Sequence, residues 1–425
     1  MESANPTIEQ PDVDALLRAS LDRMNRCSAF YRAWFAGHGV DVAAVRGVAD
    51  LARLPLLDKA QLAEAGRDAW CATPGEVVDV VTTSGTTGRS LLFPLTQGDV
   101  ARLGVNEELS FRCAGLSERD VVVVGVTMDR CFMAGLAYFE GLRRIGATSV
   151  RVGSGSPALM LEMIERLGAS AVVSVPGFLM RVAEYAAAHA IDLRTLGVSK
   201  LICIGEAVRF ADLTPTPMTQ RLEAAWGARV LSTYGATEIA SSMCECPQGR
   251  GGHLHPSLHH VEVLDPSGRP APDGEVGEVV VTTLGVAGLP VARYRLGDLA
   301  WLDRSPCACG RSTPRLGPIV GRMQQRLKIK GVSVDPASVQ HILEQYPQVV
   351  DQLLIVTHDA HGSDQLEVLL ALDPSLPCEM QMICESLRGR LKVLPKVTQA
   401  PAAQLAALRD RDSRKRQWLV DRRRP

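Results

Sequence analysis

Net charge is what this sequence most plainly lacks. Its 425 residues carry 46 Lys+Arg against 47 Asp+Glu, a formal balance of -1, so no strongly electrostatic partner such as nucleic acid is expected. Long apolar runs are missing as well. The longest uncharged stretches, Leu167–Met180 and Val279–Ala292, are interrupted by Pro and Gly and fall short of the roughly 18 apolar residues a membrane span needs. The opening residues, with Glu2, Glu9, Asp12 and Asp14, show neither a basic region nor an apolar segment of a secretory signal, so a cytoplasmic chain is expected. Eleven cysteines, an odd number, argue against a disulfide framework in such a chain. No internal repeat or low-complexity tract is visible. With 46% apolar and 22% charged residues, the composition is that of an ordinary soluble protein and excludes global disorder.

What is present divides the chain by pattern. Asp12–Arg26 and Leu57–Ala65 mix polar and apolar positions at helical spacing and predict an N-terminal helical layer. From Asp120 to Ser232, β-branched runs such as Val121–Val126, Ala171–Val175 and Lys200–Ile204 alternate with amphipathic segments such as Met133–Ile145, Pro157–Leu167 and Gly177–His189. That rhythm predicts an α/β fold, a parallel sheet covered by helices. Turn-rich links then separate short strands at His260–Leu264, Gly277–Thr283, Ala292–Arg295 and Leu299–Leu302, predicting a strand-rich subdomain over about 233–320. Beyond Gly321 a small α+β unit is expected, with helices over Pro336–Gln345 and Glu379–Leu391 and strands over Val349–Val356 and Gln365–Leu372. The expected domains are therefore 1–320 and 321–425.

Val80-Val81-Thr82-Thr83-Ser84-Gly85-Thr86-Thr87-Gly88-Arg89-Ser90 follows a predicted strand. Glycines let a backbone approach phosphate closely, and hydroxyls and amides donate to its oxygens. It is not a Walker loop, which needs Lys before its final Ser/Thr; here Gly88 is followed by Arg89. The segment resembles the phosphate loop of the adenylate-forming superfamily. Three further segments follow in that superfamily's order: Tyr234-Gly235-Ala236-Thr237-Glu238, Tyr294-Arg295-Leu296-Gly297-Asp298-Leu299, and Gly321-Arg322 with Lys328-Ile329-Lys330-Gly331. The opening Ser28-Ala29-Phe30-Tyr31-Arg32 and the stretch Leu289–Arg295 are most similar to the phenylacetate-CoA ligase branch.

The resemblance implies attack of a carboxylate on the α-phosphorus of ATP, giving an acyl-adenylate and pyrophosphate, then transfer to coenzyme A. Bringing two anions together requires oriented donors and positive charge. By resemblance, Thr83, Ser84, Gly85, Thr86, Thr87 and Gly88 cradle pyrophosphate, Thr237 meets the α-phosphate and Glu238 holds Mg²⁺. Tyr234 stacks on adenine, Asp298 accepts from the ribose hydroxyls, Arg322 contacts the same region, and Gly235, Glu206 and Ala207 complete the ATP-binding set. Lys415, in Ser413–Arg422, aligns with the catalytic lysine. At the hinge the family usually carries an acidic residue where this chain has Gln324, which bears on the swing of the C-terminal lid. By position, Phe132, Met133, Gly135, Pro176, Gly205 and Ala236 line the acyl pocket, a surround suited to an aryl acid; Phe132 and Met133 as plain core residues are the alternative.

Cys244-Glu245-Cys246 and Cys307-Ala308-Cys309 form two C-x-C pairs, with His253 and His255 after the first. Thiolates and imidazole in paired turns are the donor set of a structural zinc site, although reduced cysteines packed as small hydrophobes would also fit. The resemblance selects Cys246, His253, Cys307 and Cys309, with Cys244 or His255 in reserve. The expected cofactors are thus ATP, Mg²⁺, coenzyme A and structural Zn²⁺. A carrier-protein acceptor, a homodimer, and a non-catalytic nucleotide- and zinc-binding regulator are the alternatives left open.

Overall fold

The computed structural model describes residues 12–83, 91–323, 327–329, 332–334, 336–358, 364–377, 379–391, 395–409 and 417–423. They divide into two compact units, Met1–Thr214 with Arg221–Leu296 and Ala300–Pro318, and Pro215–Gln220 with Gly297–Leu299 and Ile319–Pro425.

The first unit opens with helices α1 (Val13–Cys27), α2 (Ala29–Gly37) and α3 (Lys59–Ala65). Asp12 starts α1 by accepting from the Ala15 amide, and Ser28 both ends α1 and caps α2 through the Tyr31 amide. Leu17, Leu21 and Met24 bury one face of α1, the helical spacing read from the sequence. An antiparallel pair follows, β1 (Val77–Thr82) and β2 (Leu92–Thr96), with Thr82 opposite Leu92. Next comes α4 (Gln97–Cys113), begun by a capping box between Thr96 and Asp99. Hydrophobic periodicity does not reveal α4, because its buried face carries Asp99, Arg102, Asn106, Glu107 and Ser110 among its apolar residues.

The central layer then runs β3 (Val121–Gly125), α5 (Met133–Ile145), β4 (Thr148–Arg151), α6 (Pro157–Leu167), β5 (Ala171–Ser174), α7 (Pro176–Ala188), β6 (Lys200–Ile204), α8 (Pro217–Trp226), β7 (Arg229–Ala236) and β8 (Ser241–Cys244). Its six-stranded sheet has the order β4-β3-β5-β6-β7-β8. Strands β3 to β7 are parallel and β8 turns back antiparallel to β7. Val122–Val124, Ala171–Val173 and Leu201–Ile204 are buried, as continuous apolar runs between two helical faces require. The chain leaves β3 for one side and returns to its other side, so the sheet has a topological switch at β3 and β5. Ligands of open α/β sheets bind beyond the carboxyl ends of strands at such a switch.

Short strands follow: β9 (Gly252–His253), β10 (His259–Leu264), β11 (Gly277–Thr283), β12 (Tyr294–Ala300), whose Gly297–Leu299 belong to the second unit, β13 (Leu302–Asp303) and β14 (Arg315–Leu316). β10 pairs antiparallel with β11, with Val261 opposite Val281, and β14 lies between β13 and β9. The two separate strands expected at Ala292–Arg295 and Leu299–Leu302 are one continuous strand over Tyr294–Ala300. Gly297 marked a break in the sequence, but with φ 73° it carries the strand through.

The second unit contains β15 (Gly321–Arg322), β16 (Leu327–Ile329), β17 (Val332–Val334), α9 (Pro336–Leu343), β18 (Val349–His358), β19 (Asp364–Leu372), α10 (Met380–Leu391), β20 (Lys396–Gln399), α11 (Ala402–Leu408) and β21 (Leu419–Asp421). β18 and β19 form a long antiparallel pair flanked by parallel β21 and β20. Val339, Leu343, Leu354, Val356, Val368, Leu370, Ile383 and Leu387 make its core.

Candidate active site and metal centre

Thr83, the residue after β1, is buried and closes the neck of the glycine-rich loop. Its amide donates to the Leu91 carbonyl at 3.2 Å and its Oγ1 accepts from the Leu91 amide at 3.1 Å. One residue earlier, the Thr82 amide donates to the Cys131 carbonyl at 2.9 Å, tying the neck to the segment after β3. Ser84, Gly85, Thr86, Thr87 and Gly88 lie outside the described residues, as do Gln324 and Lys415.

The segments beyond β3, β5, β6 and β7 bring most of the other expected residues to the carboxyl ends of adjacent strands. Phe132 is the half-buried residue before α5, whereas Met133 is buried in the core. Gly135 is buried where α5 meets the Thr127 carbonyl, too close for any Cβ. Pro176 opens α7, and a Cβ on Gly177 would lie 3.3 Å from Glu206 Oε1. The Glu206 carboxylate therefore sits over the N-terminus of α7, where the helix dipole favours negative charge. Its neighbours Gly205 and Ala207 are exposed.

β7 carries Tyr234, Gly235 and Ala236 into a tight return to β8, with Gly235 opposite Ser242 and Ala236 opposite Ser241. A Cβ on Gly235 would lie 2.9 Å from the Ser241 carbonyl oxygen, so only glycine allows this approach. Thr237–Ile239 form one 3₁₀ turn, closed by Ala240 in the left-handed region at φ 46°. Half-buried Glu238 faces Lys59 at 3.7 Å, and Lys59 is the first residue of α3 behind the Asp58–Gln61 capping box. Burial, followed by the charges of Glu238 and Asp58, pushes the Tyr294 phenol well up. Sequence reasoning missed Lys59. The capping box marks it as a helix start, but no spacing links it to a turn so distant along the chain.

In the second unit, Asp298 is buried and accepts from Arg322 Nε at 2.8 Å, across the short pairing of β12 with β15. The carboxylate is held by a guanidinium that is itself half exposed.

The cysteine-rich turns converge. The donor atoms of Cys246, His253, Cys307 and Cys309 all lie within 4.8 Å of one another. Cys246 and Cys307 Sγ are 3.7 Å apart, and His253 Nε2 is 3.5 Å from Cys309 Sγ. His253 Nδ1 bonds Thr313 Oγ1 at 3.0 Å, which leaves Nε2 facing the thiols. Burial, then the charges of Arg311 and Arg315, lowers the His253 imidazole to about 4, keeping it neutral as a ligand must be. Burial opposes ionisation of Cys309, but Arg311 and the neighbouring thiols overcome it and bring that thiol down to about 7. Three sulfurs and one imidazole suit zinc in a closed tetrahedral site. The two reserve residues are engaged elsewhere, Cys244 in the core beneath the sheet and His255 on Ser110 Oγ at 3.1 Å. Cys113 from α4 packs against the cluster, a neighbour that its position in the sequence did not suggest.

Comparisons with known proteins show the family. The family described as AMP-binding enzyme matches residues 38–288. The phenylacetate-coenzyme A ligase of Thermus thermophilus is 30% identical over 377 residues, 84% of this chain and 83% of that protein. The chain belongs to the AMP-binding enzymes, in the phenylacetate-CoA ligase-like branch. The phenylacetate-coenzyme A ligase of Escherichia coli is 28% identical, covering 85% of this chain and 83% of that protein. A solved structure of 2-hydroxyisobutyryl-CoA ligase, 21% identical, superposes with a TM-score of 0.83 over 96% of this chain and 88% of that one, and so shares the fold. This ligase is accordingly an AMP-forming acid–thiol ligase that uses ATP and coenzyme A. Among the described residues no helix is long and apolar enough to cross a membrane.

Proposed function

We propose that this ligase activates an aromatic carboxylic acid as its adenylate, releases pyrophosphate and passes the acyl group to coenzyme A. The observation that carries the aryl reading is the similarity, over most of the chain, to relatives named for phenylacetate. The carboxyl-end surround of Phe132, Pro176, Gly205 and Ala236 supports it, because small residues beside an aromatic ring leave room for a flat acid.

In this reading Thr83 holds the neck of the loop 84–88 that cradles pyrophosphate, and Thr237 donates to the α-phosphate. Tyr234 stacks on adenine, Gly235, Glu206 and Ala207 belong to the same ATP site, and Asp298 and Arg322 serve the ribose. Glu238 is the magnesium ligand, a role that suits a lone half-buried carboxylate, since Mg²⁺ takes one or two carboxylates and completes its shell with phosphate and water. Mg²⁺, when bound, neutralises charge on the phosphates. Lys59, already paired with Glu238, adds a second cation there. Lys415 bridges the substrate carboxylate and α-phosphate, a task for a compact ammonium with three donors. Residues 321–425 form the lid, with Gln324 at its hinge. Cys246, His253, Cys307 and Cys309 hold a zinc ion that is structural, since four protein ligands leave no open position.

ATP–pyrophosphate exchange tests the reading against phenylacetate, benzoate, hydroxybenzoates, aminobenzoates and a medium-chain fatty acid. Exchange with an aryl acid and not with the fatty acid is expected; exchange with the fatty acid alone would overturn the aryl assignment. Comparing coenzyme A with carrier proteins as acceptors of the adenylate then tests the second half-reaction.

A further inference from the structure

β8 is the last strand of the central sheet in the order β4-β3-β5-β6-β7-β8, and its outer edge is covered by a helix with a polar face. Arg102 Nη1 donates to the Ala240 carbonyl at 2.6 Å, Nε to the Leu284 carbonyl at 2.8 Å, and Nη2 to the Leu258 carbonyl. Asn106 bonds both main-chain groups of Ser242: Nδ2 donates to its carbonyl at 3.0 Å and Oδ1 accepts from its amide at 2.6 Å. Ser110 Oγ reaches the same carbonyl at 3.3 Å, and the Cys113 thiol reaches the Cys244 carbonyl at 3.4 Å.

The spacing explains the match. Four residues of helix advance about 6 Å, and two residues of strand advance about 6.6 Å. The step from Arg102 to Asn106 along α4 therefore matches that from Ala240 to Ser242; Ser110 adds a second bond to Ser242, and Cys113 meets Cys244. The side chains of α4 act as the missing next strand.

A covered edge needs only satisfied backbone groups, and here one of the bonds, from Arg102, also reaches the turn that precedes β8. Ala240 closes the 3₁₀ turn of Thr237 and Glu238 in a left-handed conformation that a non-glycine residue adopts at a cost, and a buried guanidinium holds its carbonyl. Ser242, held by Asn106, stands opposite Gly235.

We propose that Arg102 and Asn106 are positioning residues for adenylation: they fix the Tyr234–Ser242 hairpin so that Thr237 and Glu238 meet the nucleotide's phosphates and magnesium. This inference rests on the nucleotide reading of that turn.

The test is calorimetric binding of a non-hydrolysable ATP analogue, α,β-methylene ATP, with and without Mg²⁺. The proteins compared are the wild type, Glu238→Gln, Arg102→Lys, Asn106→Asp and Leu103→Ala. Leu103 lies on the same helix and is buried but bonds nothing on β8, so Leu103→Ala reports what loss of stability alone does. Arg102→Lys keeps the charge while breaking the three-carbonyl grip. The expected result is that Arg102→Lys and Asn106→Asp each weaken the Mg²⁺-dependent binding about tenfold, the scale of one lost hydrogen bond, while Leu103→Ala at a comparable melting temperature binds as the wild type does. If either positioning variant folds and binds like Leu103→Ala, the proposal is overturned. The nucleotide reading fails differently: the wild type would show no Mg²⁺-dependent binding, or Glu238→Gln would leave it unchanged.

Discussion

Glu107 makes the chemistry of α4 visible at a single residue. Its Oε1 accepts from Ser242 Oγ at 2.8 Å, while Oε2 meets no hydrogen-bond donor. Burial pushes this carboxyl up to about 8, against the lowering effect of the Ser242 bond; Tyr138 from α5 and Cys244 from β8 are the titratable groups around it. Glu107 is therefore protonated in the folded protein at neutral pH, whereas an unfolded chain ionises its glutamates near pH 4.3. The sign follows from linkage. Because the folded value is raised, the contribution to stability is fully present below about 4.3 and is lost as pH rises through about 8. Glu107→Gln keeps the shape without the proton. Its melting temperature should gain on that of the wild type as the pH is raised from 5 to 8.5, and parallel melting curves across that range would refute the assignment. Nothing in the sequence flags Glu107, since a lone Glu inside a helical stretch reads as a solvated acid until the fold buries it.

At the scale of elements, legibility followed periodicity. The run of strands and helices from β3 to β7 could be read because buried parallel strands are continuous apolar segments and their covering helices are amphipathic. The four ordered motifs identified the family for the same local reason: each is a short contiguous segment. The helix α4 was illegible, since polar side chains fill part of its buried face, and so was the Lys59–Glu238 pair, which joins two elements far apart along the chain. The start of α4 yields a prediction. Asp99 accepts from the Thr96 amide at 2.9 Å and hydroxyl at 2.8 Å, and from the amides of Ala287 and Gly288 at 2.7 and 2.9 Å. One buried carboxylate thus caps the helix and anchors the loop before β12. Asp99→Ala would strand these donors, at a cost of about 3 kcal/mol or more. Asp99→Asn, which keeps an acceptor, should lose less. Urea unfolding of the two variants measures this, and a loss under about 0.5 kcal/mol for Asp99→Ala would show that water replaces the carboxylate.

For the whole molecule, the proposed zinc links segments that no single element spans. Cys246 follows β8 closely, His253 lies on β9, and Cys307 and Cys309 stand in the turn between β13 and β14. The strands that carry or flank these ligands, β9, β13 and β14, are two residues each. A metal supplies what such short strands cannot, because binding to a site formed only in the fold adds directly to folding stability. At a free concentration a thousandfold above the dissociation constant the gain is about 4 kcal/mol. The centre also touches α4, where Arg311 donates to Cys309 Sγ at 3.6 Å and to the Arg112 carbonyl at 3.3 Å. Loss of the metal should therefore loosen the far end of the helix that grips β8. Purified protein should contain about one zinc per chain. Chelation should lower the melting temperature, and Cys309→Ser should reproduce that loss without further change on chelation. Protein that holds no metal, melts as before and is indifferent to Cys309→Ser would leave the four residues as packed thiols and a buried imidazole.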